Sequence, residues 1–242
     1  IALLERNRSG VKLTSDGSRL LPYARKLCEE YQKMQMQVDD LRGVQTGLIR
    51  IGTFSSVATH WLPNIIRAFP KDYPVVDYEL LLGDYTEIET WITQGRVDCG
   101  FLRLPSVKHL QTYALHRDEL QVIVPCDHPY ADSEPFPKEL LASEPFIQLE
   151  EGDDYEIMAA FDEMGIRPNV KYVAREDRTI LSMVSEGLGI SLLPELMVRH
   201  SPAPITVHRT IGIGVKDEKA LSNSTRLFVD YVRTWVAENG DQ

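Results

Sequence analysis

Cysteine is scarce in this sequence, and its placement excludes two kinds of structural site. Cys28, Cys99 and Cys126 are widely spaced and none belongs to a CxxC pair, so the sequence indicates neither a disulfide framework nor a zinc site. Cys99 lies in the apolar run VDCGFL. Because a free cysteine packs like a small hydrophobic residue, we expect Cys99 to lie in a core.

Long apolar runs are also missing. No stretch reaches the roughly 18 apolar residues that a membrane-spanning helix needs, and the first residues are too charged for a secretory signal. The chain has 242 residues, 43% of them hydrophobic, which suffices for one large domain or two smaller ones. The sequence therefore predicts a globular cytoplasmic protein with no membrane partner.

The signatures of catalysis and nucleotide binding are absent as well. GxxxxGK[ST], HExxH and GxSxG do not occur, and the glycines of SEGLGISLLP and TIGIGVK do not complete GxGxxG. The six histidines are scattered without an i, i+4 pair, and the acidic residues of EEGDD are interpreted as a solvated loop. We therefore predict no catalytic residue, no metal site, no cofactor and no enzymatic activity.

Positive charge is in deficit overall but is concentrated at one end. The chain carries 26 basic and 36 acidic side chains, whereas residues 1–26 hold six basic and two acidic ones. This head therefore has a net charge of +4 and the remaining 216 residues a net charge of −14. Because an acidic surface repels nucleic acid, any nucleic-acid contact is expected to be local to the head.

The first 46 residues are predicted to form a two-stranded turn followed by a long helix. NRSG favours a tight turn, VKLT alternates as a strand does, and Thr14 can cap a helix with Asp16 in its first turn. Pro22 should kink or loosen the first turns. A 3.5-residue period favours a partner helix, most simply from a second copy of the chain, over packing on the helix's own domain. Seven apolar residues define this heptad seam: Leu20, Ala24, Leu27, Tyr31, Met34, Val38 and Leu41.

After residue 47 the sequence alternates between strands and helices. The predicted strands include LIRIGTF, VVDYELLL, VDCGFLRL, EPFIQL, VKYVA and ISLLP, and the predicted helices SVATHWLPNIIRAF, EIETWITQ, YEIMAAFDEMG, TILSMVSEGLG and TRLFVDYVRTWVAE. LQTYALH, LQVIVP, ITVH and TIGIGVK are read as further separate apolar runs. This alternation predicts an α/β protein with mixed or parallel sheets, arranged in two lobes.

Polar residues beside predicted strands are candidate ligand contacts. Ser55 and Ser56 lie between a strand and a helix, where hydroxyl and free N–H groups can bind an anion, although helix capping alone also explains them. Arg103 ends a strand and Arg178 lies just before a predicted helix. Each arginine could bind a carboxylate in bidentate fashion at the carboxyl ends of the strands, or form a surface ion pair.

Taken together, these segments resemble a LysR-type transcriptional regulator. The head resembles the family pattern LFxRxxRxVxLTxAGxxLL, and GLIRIGTF, WLP, FPKDYP, GRVDCGF, HPYA and SEGLGISLLP follow in the family's order and spacing. The departures are small: Asp16 stands where the family often has alanine, and Tyr130 where HPLA has leucine. The residues that match the head pattern are Leu4, Arg6, Val11, Leu13, Thr14, Gly17, Leu20 and Leu21.

The resemblance implies an α/β architecture with a long N-terminal linker helix. A two-lobed effector domain of the periplasmic-binding-protein-like type 2 fold would follow, each lobe Rossmann-like. Residues 1–14 would be the wing of a winged helix-turn-helix, and 15–46 the linker that pairs subunits. The chain would cross between lobes near Ala114 and near Ile211. Lobe I would then comprise 47–113 and 213–242, and lobe II 114–212.

The resemblance also implies two sets of site residues. Arg6, Arg8 and Lys12 of the wing would contact DNA phosphate or the minor groove, and because the helix-turn-helix would precede this sequence, the chain alone should bind DNA poorly. A small effector would lie in the cleft between the lobes. The segments that would line this cleft are Thr53–Ser56, Asp84–Tyr85, Phe101–Arg103, Ile147–Gln148 and Asp177–Thr179. The contacts predicted within them are Thr53, Ser55, Ser56, Asp84, Phe101, Arg103, Gln148, Arg178 and Thr179.

The implied function is that of a bacterial cytoplasmic regulator, a homodimer or homotetramer that binds promoter DNA. Its effector is predicted to be a small organic acid, because Ser55, Ser56 and Arg103 make a polar cleft. Effector binding would change the angle between the lobes and so the spacing of the DNA-binding heads. Two other classes share this fold. A solute-binding protein is disfavoured by the heptad helix and the wing-like head, and a carboxylate lyase would need an acid or base in the cleft.

Overall fold

The chain folds into an N-terminal hairpin and long helix followed by an α/β body. The computed structural model describes residues 1–7, 10–41, 46–69, 75–131, 136–150, 156–198 and 204–240. The strands are β1 Leu4–Asn7, β2 Gly10–Leu13, β3 Thr46–Thr53, β4 Val75–Leu82, β5 Cys99–Leu104, β6 Gln111–Ile123, β7 Pro145–Leu149, β8 Asn169–Ala174, β9 Ser191–Pro194 and β10 Pro204–Val215. The α-helices are α1 Ser15–Leu41, α2 Ser55–His60, α3 Leu62–Ala68, α4 Tyr85–Thr93, α5 Leu140–Ser143, α6 Glu156–Met164, α7 Asp177–Ser185 and α8 Asn223–Asn239.

The predicted pairing of two short strands and the capped helix at the start of the chain are confirmed, whereas the middle of the predicted turn lies outside the described residues. β1 and β2 pair antiparallel, with Arg6 opposite Val11. The Thr14 hydroxyl accepts a hydrogen bond from the Gly17 N–H at 2.9 Å, which satisfies one of the free donors at the start of α1. Pro22 lies inside α1 without ending the helix.

One six-stranded sheet runs through the body in the order β4-β3-β5-β10-β6-β9. β3 is parallel to β4 and β5, whereas β10 and β6 are antiparallel to their neighbours. β7 and β8 form a second, parallel pair, and an Ile147 N–H to Ile190 carbonyl hydrogen bond of 2.9 Å joins β7 to the segment before β9. Successive side chains of β3 point to opposite faces of the sheet. Ile49 and Ile51 are buried and Leu48 is exposed, so one face of the sheet is covered by the core.

Two hydrophobic cores define the two lobes. The first contains the buried side chains of β3, α2, α3, α4, β5 and the end of β10, packed against Phe228, Val232 and Val236 of α8. The second contains Leu120, Val122 and the buried side chains of β7, α6, α7 and β9. Cys99 is fully buried in the first core, as predicted. β6 and β10 contribute to both lobes and are called the hinge strands below.

The structure corrects two sequence predictions. SVATHWLPNIIRAF was predicted as one helix, but α2 ends at His60 and α3 begins at Leu62, because Pro63 fits the first turn of a new helix and cannot continue an old one. The paired runs LQTYALH with LQVIVP, and ITVH with TIGIGVK, were read as separate segments. Each pair belongs to one long hinge strand, and the charged residues between the runs lie where that strand passes from one lobe to the other.

Candidate functional site: a polar cleft between the lobes

An open cleft of about 1020 Å³ lies between the lobes. α2, the loop after β4 and the start of α4 form its lobe I wall, and the ends of β7 and β8 with the start of α7 form its lobe II wall. Its lining residues are Phe54, Ser55, Ala58, Thr59, Leu82, Gly83, Asp84, Tyr85, Glu150, Arg175, Glu176, Asp177 and Arg178. The volume is that of a small-molecule site.

Arg209 of hinge strand β10 lies behind the cleft and is only 4% exposed. Its guanidinium donates to Asp118 of β6, with N···O distances of 2.7 and 2.8 Å. It also donates to the Ser56 hydroxyl at 2.9 Å and to the Tyr85 hydroxyl, and it stacks over the Phe54 ring at 5.1 Å. Arg209 therefore connects both hinge strands to the lobe I wall.

Asp118 extends the same contacts to the segment that follows β9. Its second carboxylate oxygen accepts the Leu196 N–H at 2.9 Å, in the short 3-10 turn that follows β9. Asp118 is fully buried, so both charges of the pair are removed from water and their charge-assisted hydrogen bonds must compensate for that loss. The Asp118–Arg209 pair thus joins β6, β10 and the turn after β9.

The inner end of the cleft is formed by the buried lining residues Phe54, Tyr85 and Asp177, together with Ser55. Asp177 comes from lobe II and is 5% exposed, and its carboxylate accepts a hydrogen bond from the Ser55 side chain of lobe I. Burial raises the pKa of the Asp177 carboxyl above its usual value, and outweighs the opposite effects of the Ser55 hydrogen bond and the Arg209 charge.

The cleft rim carries exposed charges of both signs. Arg175 and Glu150 form an ion pair at 2.8 Å, whereas Glu176 and Arg178 extend from the exposed start of α7. Within the described part of the chain, the Arg178 guanidinium makes no ion pair with Glu176 or Asp177. Leu82, Phe54 and Ala58 add apolar surface. The cleft can therefore bind a small molecule that has both polar groups and an apolar skeleton.

The structure brings some of the predicted effector contacts to this cleft and places others elsewhere. Ser55, Asp84 and Arg178 line it, and Ser56 lies behind it against Arg209. Asp84 also caps α4, because its carboxylate accepts the Glu87 N–H at 2.8 Å. Four predicted contacts are not among the described lining residues: buried Thr53 and Phe101, and half-buried Arg103 and Gln148. Thr179 is exposed on α7 next to the rim.

Sequence reasoning included Tyr85 and Asp177 in the segments expected to line the cleft without singling them out as effector contacts, and it missed Arg209 altogether. Asp177 and Tyr85 stood within loops that were expected to line the cleft, and Asp177 directly precedes Arg178, so its place at the start of a helix was a usable signal. Arg209 gave none. It lies in the middle of a strand, and its partner Asp118 is 91 residues away in the sequence.

The described residues of the wing and seam lie on the surface. Arg6 and Lys12 are exposed on the hairpin, and Arg8 lies outside the described residues. On α1, Leu20, Leu27, Tyr31 and Met34 are 44%, 73%, 59% and 53% exposed, although they are large and apolar. Ala24 is exposed, Val38 half-buried, and the Leu41 side chain is outside the described set.

Other kinds of site find little support in the described ranges. Among these residues no three His, Cys, Asp or Glu side chains lie together as a metal site would require. None of the described helices combines the length and apolar character that crossing a membrane requires.

A basic hairpin, a long exposed helix and a two-lobed α/β body with a polar hinge cleft together define a transcriptional regulator with an effector-binding domain. Residues 42–237 match the LysR substrate binding domain, which is most of the chain. The chain therefore belongs to the LysR family of transcriptional regulators. Family members are transcriptional regulators rather than enzymes, bind small-molecule effectors and DNA, and form oligomers.

Individual relatives agree with this assignment. The chain is 30% identical over 247 residues to the probable HTH-type transcriptional regulator LrrA of Synechococcus elongatus, covering 98% of this chain and 83% of LrrA. The crystal structure of HinK, a LysR family transcriptional regulator from Pseudomonas aeruginosa, is 26% identical with a TM-score of 0.71, over 93% of this chain and 81% of HinK. The effector-binding domain of QuiR, solved with shikimate, shares the fold at 20% identity and a TM-score of 0.70, over 80% of this chain and 99% of that domain.

Proposed function

We propose that the cleft binds a small organic acid and that this binding controls transcription. The observation that carries the proposal is Arg178, an exposed cation on the rim without an ion pair among the described residues. Its guanidinium can take a carboxylate in bidentate fashion, and Leu82, Ala58 and Phe54 supply apolar surface for the rest of the molecule. The wall contains residues from both lobes, so a bound acid contacts both and favours one lobe arrangement.

The remaining parts of the chain serve DNA binding and assembly in this proposal. Arg6, Arg8 and Lys12 contact DNA, and the α1 seam from Leu20 to Leu41 pairs two copies of the chain. We keep the division into lobe I (47–113 and 213–242) and lobe II (114–212). The protein acts in the cytoplasm as a homodimer or homotetramer and catalyses no reaction. In this role the cleft needs no general acid or base in contact with the ligand.

A thermal-shift screen against small carboxylates, amino acids, sugars and phosphates tests the proposal. A ligand at about 100 times its dissociation constant adds roughly 2.7 kcal/mol, which raises the melting temperature of a protein of this size by about 5–10 °C. The expected hits carry a carboxylate and lose their effect in Arg178→Ala. Arg103→Ala is the matched control, because Arg103 is not among the lining residues, and it should keep the effect.

Three results of the screen would argue against the proposal. Hits restricted to sugars would exclude an organic acid, and hits that survive Arg178→Ala would exclude this arginine as the carboxylate contact. Conversion of a hit into another compound during incubation with the protein, detected by chromatography, would favour an enzyme of the same fold.

A further inference from the structure

The inner end of the cleft already holds a carboxylate, that of Asp177. The groups beside it are those that would recognise an anionic ligand: the Ser55 hydroxyl as a donor and the Arg209 guanidinium as a nearby positive charge. Asp177 reaches them from the opposite lobe, at 5% exposure. A carboxylate of the effector could take this position only by displacing Asp177.

The positive charge near Asp177 is largely used elsewhere. Arg209 makes its two short ion-pair contacts with Asp118, and it also donates to Ser56 and Tyr85. The Asp177 carboxylate is therefore a buried anion that its neighbours only partly compensate, which is consistent with the raised pKa of this carboxyl. Glu176, next to it on the same wall, adds further negative charge.

From this geometry we infer that Asp177 determines specificity: the effector group that reaches the inner end of the cleft is a cationic nitrogen, bound by the Asp177 carboxylate, and not a second carboxylate. This inference rests on the proposed function, in which Arg178 binds a carboxylate at the rim. Arg178 and Asp177 are adjacent at the start of α7. A ligand that satisfies both carries a carboxylate and an ammonium group, as an amino acid or a related zwitterion does.

The test uses two simple ions, acetate and methylammonium, so that it does not depend on finding the effector. Melting temperatures of wild type, Asp177→Ala and Asp177→Asn are measured with each ion at about 100 mM, against sodium chloride at equal ionic strength. We expect methylammonium to stabilise wild type, and acetate to stabilise Asp177→Ala, each by about 2 °C or more. Acetate should occupy the space left by the missing carboxylate, beside Ser55 and Arg209. Asp177→Asn fills that space without charge and should respond to neither ion.

Glu186→Ala is the matched control, because it removes the same charge from an exposed position at the far end of α7, outside the lining residues of the cleft. It should keep the wild-type pattern of responses. Equal acetate responses in wild type and Asp177→Ala would overturn the inference, and so would no acetate response in Asp177→Ala. The reciprocal pattern is stabilisation of wild type by methylammonium and of Asp177→Ala by acetate. If this pattern is observed but no carboxylate shifts the melting temperature in the screen, the proposal of an organic-acid effector fails and the role of Asp177 stands. If carboxylates bind through Arg178 but the reciprocal pattern is missing, only this inference fails.

Discussion

Among the side chains around the cleft, Arg209 joins several elements through buried hydrogen bonds. It is buried in a hinge strand, and its partners Asp118, Ser56 and Tyr85 lie on β6, α2 and α4. Removing one member of a buried ion pair leaves the other charge without compensation, which is far more costly than losing an exposed pair.

We predict that Arg209→Ala lowers the free energy of unfolding by about 3–5 kcal/mol, because Asp118 then stays buried with the Leu196 N–H as its remaining described donor. Urea denaturation followed by circular dichroism measures the change. Arg67→Ala on the exposed face of α3 is the control and should change stability by no more than about 0.5 kcal/mol. A loss below about 1 kcal/mol for Arg209→Ala would contradict the role assigned to this pair.

The raised pKa of the Asp177 carboxyl predicts a specific pH dependence of the free energy of unfolding. The pKa of this carboxyl is raised in the folded state above 3.8, so the folded protein binds a proton more readily than the unfolded chain. As the pH falls through the folded-state pKa, wild type should gain stability relative to Asp177→Asn, and the gain should level off below the unfolded pKa. Denaturation of both proteins between pH 7 and pH 4 measures this difference. A loss of wild-type stability relative to Asp177→Asn as the pH falls would refute the prediction.

At the scale of elements, the sequence predicted the hairpin, the capped long helix and most strands, because each depends on local patterns of apolar and turn residues. The hinge strands were missed because charged residues interrupt their apolar pattern at Arg117–Glu119 and at His208–Arg209. This interruption is where Asp118 and Arg209 meet, and only the pairing of β6 with β10 reveals it. The same holds for the cleft, since Ser55 and Asp177 come from distant helices.

The α1 seam allows a prediction about assembly. Leu27 is 73% exposed in the single chain, and a leucine on a heptad seam is expected to be buried by a partner helix. Leu27→Gln should weaken dimerisation by about tenfold or more, since burying a leucine contributes about 1.5–3 kcal/mol. Analytical ultracentrifugation over a concentration series measures this. Lys26→Gln, one position away and off the seam, should leave the dimer unchanged, and equal effects of both changes would argue against pairing through this seam.

For the molecule as a whole, the hinge strands make the lobes neither independent nor rigidly fused. The sheet is continuous from β4 to β9, yet the two cores are separate, so a change of lobe angle requires adjustment mainly where β6 and β10 cross. The hydrogen bond from the Ser55 side chain of lobe I to the Asp177 carboxylate of lobe II links the two walls at the inner end of the cleft.

A ligand can change the balance between lobe arrangements only through its difference in affinity for them. Reversing a population from 1:99 to 99:1 requires a difference of about 10⁴-fold, so an effector must contact both walls to act as a switch. We predict that a ligand bound through Arg178 changes the small-angle scattering curve of the assembled protein, and that Arg178→Ala abolishes the change at the same ligand concentration. Asp177→Ala, which removes the contact across the cleft, should shift the ligand-free curve away from that of wild type. Identical curves for free and ligand-saturated protein would show that lobe movement does not transmit the signal.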